Sequence, residues 1–316
     1  MSIIKMLSSD LSMSEHEILS IAESADNSHY HKFMSGGRRI DAPDQPLKLL
    51  QFWVADFVRA ETPELPDYVT AYELGRNIKN NAGTHSQNTH VINLDIHHFF
   101  QSCTEDMVRK LFANIEGCDL RSEDLALLVS ISTYKGHLTI GSPCSPFIAN
   151  RIAIPIDQDI RSKLPDDMKY SRYSDDISIS SNNRIDYKST VDTVANALSS
   201  HGFEINRKKT HCYGKGGRRH VTGIFINPDG TLSLGHKRKK QLESMLYGHL
   251  VNSQGDPDKI LGYINFCNYV EPEFTRKTLL KYGKYGFARE CSSVVDFLRK
   301  EQKSAHATRR YLGRAR

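Results

Sequence analysis

The chain of 316 residues lacks any apolar run able to cross a membrane: its longest nearly pure apolar stretch, residues 125–131, falls far below the roughly 20 residues a spanning helix needs. Cysteine is sparse. Six are scattered with no CxxC pair and no Cys/His cluster at zinc-like spacing, which excludes a disulfide scaffold and a zinc finger and predicts reduced thiols. Eleven Pro and 20 Gly are too few for collagen-like or low-complexity sequence, and no fixed-period repeat indicates a solenoid. Residues 1–10 lack the basic start and apolar core of a secretion signal, so a cytoplasmic protein with no membrane association is expected. What is present, 39% apolar and 25% charged residues with a mean hydropathy of −0.49, describes a globular chain large enough for two or three domains.

Charge is unevenly placed. The formal net charge is only +5, yet residues 207–219 hold six Lys/Arg and no acid, and Lys237, Arg238, Lys239 and Lys240 form an unbroken tetrad. Residues 299–316 add seven Lys/Arg against one Glu. Tyr213, Tyr247, Tyr263, Phe266, Tyr269, Tyr282, Tyr285, Phe287 and Tyr311 are interleaved with these cations. Cations that track a phosphate backbone, alternating with rings that stack on unpaired bases, make the C-terminal third an expected nucleic-acid surface. A solvated face over ordinary core aromatics is the alternative.

Helical spacing is expected over 11–24, 47–59, 125–132 and 147–160, the last kinked or ended by Pro155. Gly36-Gly37 marks a hairpin leading into a strand at 38–43. Further strands are expected at 91–96, 169–173, 177–181, 203–206 and 221–227, and beyond the Pro228-Asp229-Gly230 turn the chain reads as mostly helical. Two of these strands carry the chemistry. The run 91–96 contains Asp95 near its end, and the hairpin 169–181 carries Asp175-Asp176. Carboxylates in β-rich apolar surroundings are costly unless paired or metal-bound. Three from two segments suit hard divalent cations: Mg²⁺, as two ions, with Mn²⁺ as the alternative. A polar hairpin turn and a helix N-cap are the ordinary uses of such residues.

The order and spacing of several motifs resemble the reverse transcriptases, and within them the retron reverse transcriptases, over nearly the whole chain. Asn93-Leu94-Asp95-Ile96-His97-His98-Phe99-Phe100 resembles the first palm motif, and Tyr173-Ser174-Asp175-Asp176 the Tyr-x-Asp-Asp motif. Gly141-Ser142-Pro143-Cys144-Ser145-Pro146 is similar to the segment lying along the templating base and incoming nucleotide. Asn206-Arg207-Lys208-Lys209-Thr210 matches Asn-x-x-Lys-Thr, and residues 38–43 resemble the fingers segment that contacts nucleotide phosphates. Asn81-Ala82-Gly83-Thr84-His85 and Val221-Thr222-Gly223 resemble two retron elements. Two positions depart from the pattern: Ile140 stands where Gln is usual, and Ser174 where retrons usually have Ala.

The resemblance implies an α+β right-hand polymerase: fingers in 1–90, a palm with an antiparallel sheet in 91–227 with a fingers segment inserted at about 104–165, and a helical, basic thumb in 228–316. It implies RNA-directed synthesis of DNA from dNTPs on a cognate structured noncoding RNA, primed from a 2′-OH of a guanosine in that RNA and yielding the branched product msDNA. A retron effector protein active in antiphage defence is the expected protein partner. Asp95 and Asp175 would hold two Mg²⁺ ions, with Asp176 tuning the site from the next position. Arg38 or Arg39 would meet phosphate, Phe99 and Phe100 the nucleotide, with Phe100 the gate against a ribose 2′-OH. Gly141 and Ser142 would line the nucleotide, and Pro143, Ser145, Tyr173 and Ser174 the template and primer. Lys209 would act as a point charge or as proton donor to the leaving pyrophosphate. Val221, Thr222 and Gly223, with Lys237, Arg238, Lys239 and Lys240, would bind RNA. His85 is expected to be a hydrogen-bonded fold residue. The rivals are a free-standing group II intron-like or diversity-generating reverse transcriptase, and a catalytically inactive RNA-binding scaffold.

Overall fold

Local signals start and stop the first elements. In the computed structural model, which describes residues 2–285 and 291–314, helices α1 (Ile3–Leu11) and α2 (Glu15–Ser28) are separated by Ser14, whose hydroxyl accepts from Glu17 N while the Glu17 carboxylate accepts from Ser14 N. The expected helix over 11–24 is thus α2, and Leu11 ends the helix before it. Gly36-Gly37 turns β1 (Tyr30–Ser35) back onto β2 (Arg38–Pro43), and Asp44 caps α3 (Gln45–Glu61). Then follow α4 (Ile78–Thr84), β3 (His90–His97), α5 (Phe99–Ser102), α6 (Glu105–Ala113) and α7 (Ser122–Ser132). The expected helix 147–160 is two, α8 (Ser145–Ile152) and α9 (Ile154–Lys163), because Pro155 sits in the first turn of α9, where no backbone N–H is needed. β4 (Lys169–Tyr173), β5 (Asp176–Ser181), α10 (Tyr187–Ser200), a shortened β6 (Glu204–Ile205) and β7 (His211–Tyr213) complete this part.

These elements belong to a compact unit, Met1–Lys215, built on the antiparallel order β4-β5-β3-β6, with β7 also paired to β3. Period-two alternation divides the sheet's faces. Ile92 lies opposite Ile179 and Leu94 opposite Ile177, all buried in one core with α3, α7, α8 and α10. On the other face Asn93 meets Ser178, whose hydroxyl donates to its side chain at 3.0 Å.

The second unit, Gly216–Arg316, pairs β8 (Arg219–Val221), β9 (Ile224–Ile226) and β10 (Leu232–Ser233). The single strand expected at 221–227 is broken by a tight turn at Thr222-Gly223, both with left-handed backbone (φ 46° and 76°), so the apolar run folds back as two strands. Helix α12 (Pro257–Val270) packs on α11 (Gly235–Asn252), α13 (Pro272–Tyr282) and α14 (Val294–Arg314) around Leu242, Leu246, Ile264 and Leu298. Among the described residues no helix is long and apolar enough to cross a membrane. The fold class is α+β, as expected.

Candidate active site

Sheet register brings the acids together. Asp95 lies directly opposite Asp176 on the face away from Leu94 and Ile177, and Ile96 N donates to the Asp175 carbonyl at 2.8 Å, which seats the Ser174-Asp175 turn against the end of β3. Ser174 makes that turn with φ 59°. Asn206 grips Asp95 twice: its N–H donates to the Asp95 carbonyl at 2.7 Å, and its Nδ2 to Asp95 Oδ1 at 2.9 Å. Lys209 Nζ meets the other carboxylate oxygen at 2.8 Å.

A cleft of about 530 Å³ opens over these groups, lined by Asp95, Asp175, Ser174, Tyr72, Phe100, Arg38, Arg39, His97, His98 and Lys209 among others. Asp176 is not on its wall. Burial pushes the Asp175 carboxyl up, with Asp95 adding to the rise and Arg38 and Lys209 opposing it. Asp176 is pushed up to about 6, first by burial and then by Asp175 and Asp95. Crowded, half-dry carboxylates of like charge make a donor set that favours a hard cation. The Lys209 ammonium already lies against one of them. Among the described residues no three His, Cys, Asp or Glu side chains stand close enough to hold an ion as they are.

The remaining candidates fall into two groups. Arg39 is turned onto Asp41 at 3.1 Å, while Arg38 contributes to the field at Asp175 and Asp176. Phe100 is part-exposed on the cleft wall, whereas Phe99 is buried against Phe203. Ser142 and Ser145 are buried, Ser145 accepting from Thr139 N, and Pro143 is half-buried. Gly141 has φ 119° and sits so near β2 that a Cβ would come within 2.6 Å of the Asp41 carbonyl. That close approach, with Asp41 N donating to the Ile140 carbonyl at 3.0 Å, fastens the hairpin to the cleft, and Ile140 lines it with an apolar side chain.

In the second unit the basic tetrad divides by helix face. Lys237 and Lys240 are exposed. Arg238 instead bonds the Gly223 carbonyl and covers the Phe266 ring, and Lys239 pairs with Glu271 at 2.5 Å. Val221 is fully buried, so its motif builds the hairpin. Tyr247, Tyr269 and Tyr285 are exposed; Phe287 and the side chains of residues 305–316 lie outside the described residues.

His85 is a fold residue, buried between Ser180 Oγ (2.6 Å) and Ser171 Oγ (2.8 Å), the latter donating to Asn81. Burial lowers its pKa to about 3. Since the unfolded chain protonates near 6.5 and the folded chain does not, stability present above that pH is lost as pH falls toward 3. By pH 5 the loss is about 2 kcal/mol from this group, so the drop in urea midpoint between pH 7 and pH 5 should be visibly smaller in His85→Gln. An equal drop in both proteins would refute the assignment.

His97 and His98, expected from the sequence to be structural or RNA-facing, stand on the cleft wall. Asn206 sits inside a recognised motif but had no role of its own there. Tyr72 and Arg172 carry no local signal, since their partners lie far away in sequence.

Residues 30–264 match the reverse transcriptase (RNA-dependent DNA polymerase) family. The chain is 31% identical to the retron Ec73 reverse transcriptase of Escherichia coli, covering 79% of this chain and 84% of that protein. It is 29% identical to the retron Ec83 reverse transcriptase of the same species, again over 79% and 84%. It is 27% identical to the retron Mx65 reverse transcriptase of Myxococcus xanthus, over 78% and 63%. A family match that spans the acid-bearing sheet and runs on into the second unit, joined to these relatives, decides the identity: the chain belongs to the retron reverse transcriptases, and is an RNA-directed DNA polymerase with the right-hand polymerase fold.

Proposed function

We propose that this polymerase copies a cognate structured noncoding RNA into msDNA, starting from a guanosine 2′-OH of that RNA, and serves in antiphage defence with an effector protein, in the cytoplasm. The observation that carries the chemistry is the register of Asp95 beside the Ser174-Asp175 turn, inside a cleft that Arg38, Arg39 and Lys209 also line. Asp95 and Asp175 would hold two Mg²⁺ ions, which when bound stabilise the attacking and leaving oxygens of phosphoryl transfer. Asp176, in register with Asp95 but off the cleft wall, would tune their charge.

The chain's own groups do the rest. The primer hydroxyl oxygen attacks the α-phosphorus of the dNTP, and the bond to pyrophosphate breaks. Arg38, not tied as Arg39 is to Asp41, would bind the triphosphate. Lys209, whose side chain is 53% exposed at Asp95, would neutralise the departing pyrophosphate or hand it a proton. Lys237 and Lys240 on the exposed face of α11, with Tyr247 two turns on, would track the RNA backbone. The retron-like elements at Asn81–His85 and Val221–Gly223, together with the retron relatives, support a retron RNA as the template.

Primer extension on RNA by the purified protein tests this reading. Incorporation of dNTPs that stops with EDTA and returns with Mg²⁺ is expected, and none under any divalent ion would leave only an RNA-binding scaffold. Phe100→Ala should raise rNTP incorporation relative to dNTP by at least about tenfold, the discrimination of roughly 1–3 kcal/mol that one pocket contact supplies. Unchanged sugar selection would remove Phe100 as the gate.

A further inference from the structure

We infer that Tyr72 is a positioning residue of the polymerase site, holding the Ser174 turn, and with it the Asp175 carboxylate, through a hydroxyl-to-hydroxyl hydrogen bond. The inference rests on the reading of Asp175 as a catalytic acid. Three non-glycine residues lining the cleft have left-handed backbone: His98 at φ 48°, and the two that concern the acid-bearing turn, Tyr72 at φ 63° and Ser174 at φ 59°. Side chains with a Cβ rarely adopt that conformation, and they keep it only where the surroundings over-determine it. Here the two meet: Tyr72 OH donates to Ser174 Oγ at 3.0 Å.

Tyr72 is delivered there by a strap laid along β4. Val69 pairs in parallel with Arg172, whose carbonyl accepts from Thr70 N at 2.8 Å and Thr70 Oγ1 at 3.0 Å, and Asn150 Nδ2 donates to the Ala71 carbonyl at 2.9 Å. One residue later the phenol reaches the turn, its ring 6.4 Å from that of Tyr173. Ser174 is 4% exposed and immediately precedes Asp175, so a rotation of this turn would re-aim the carboxylate. The alanine usual at this position has no acceptor for the phenol. Tyr72 and Ser174 therefore form a coupled pair particular to a chain with serine in the turn.

The test is a double-mutant cycle on primer extension, with kcat and the KM for dNTP measured separately. Tyr72→Phe and Ser174→Ala should each lower kcat by about three- to tenfold, the value of one hydrogen bond, with KM and thermal midpoint unchanged. The double variant should be no slower than the slower single, because both changes delete the same bond. Wild-type kcat in Tyr72→Phe, or losses that multiply in the double variant, would overturn the inference. A raised KM with intact kcat would also overturn it, making Tyr72 a nucleotide contact. If the unaltered enzyme extends the primer, these failures leave the proposed function standing; if it extends nothing, both fall.

Discussion

Asp95→Asn and Asp175→Asn should each reduce primer extension by about a thousandfold or more, with the fold intact. Loss of one oriented electrostatic group in a preorganised site costs about 10²–10³ in kcat, and under the proposed function each of these changes also removes a whole negative charge that would face a divalent ion. Asp95 is 6% exposed and bound at both oxygens, by Asn206 and Lys209. Asparagine preserves its shape but turns an acceptor into a donor facing one of those donors. Both substitutions relieve like-charge crowding that pushes Asp175 and Asp176 up, and at Asp95 this offsets the lost Lys209 pair, so the urea midpoint should change little. Extension rates and urea midpoints measured on the same preparations separate the two effects. Activity within tenfold of the unaltered enzyme would remove the acids from the mechanism.

The second large effect lies beneath the same turn. Arg172→Met should lower the free energy of unfolding by about 3–5 kcal/mol, the cost of leaving one half of a buried ion pair. Arg172 is fully buried and donates from Nε and Nη2 to the two oxygens of Asp157 at 2.7 and 2.8 Å. Its Nη1 also reaches Asn150 Oδ1 at 2.9 Å and the Ser174 carbonyl at 3.3 Å, so the pair ties α8 and α9 to the Ser174-Asp175 turn. Tyr170 OH donates to Asp157 as well, at 2.6 Å. Methionine fills the volume but leaves the Asp157 carboxylate in the core without its cation. Replacing both partners, Arg172→Met with Asp157→Leu, should recover much of the loss. Urea unfolding reads the change in midpoint, and a single-variant loss below about 1 kcal/mol, the range of surface pairs, would contradict the account.

The two acids that line the cleft were legible in the sequence because Asp is unusual within β-rich apolar runs and because its motifs come in a fixed order. Gly36-Gly37 and Pro228-Asp229-Gly230 announced their turns by backbone chemistry. The turn at Thr222-Gly223 did not, since a β-branched residue inside an apolar run reads as strand and only tertiary context imposes its positive φ. The basic tetrad looked uniform because a charge run carries no information about helix face. At about 100° per residue its members must point in different directions, and Arg238 and Lys239 turn inward while Lys237 and Lys240 do not. Tyr72 and Ser174, 102 residues apart in sequence, meet only once β4 lies beside the strap. Nothing local in the sequence marks Arg172, and it is α9 that supplies the carboxylate allowing it into the core.

The most direct measurement of the retron reading is to express the chain in bacteria with about a kilobase of its upstream genomic DNA and examine the small nucleic acids on a denaturing gel. The account expects a branched DNA that shortens after ribonuclease and debranching treatment and disappears with Asp175→Asn. Primer extension on RNA by the purified enzyme, with no branched product from cells, would contradict it.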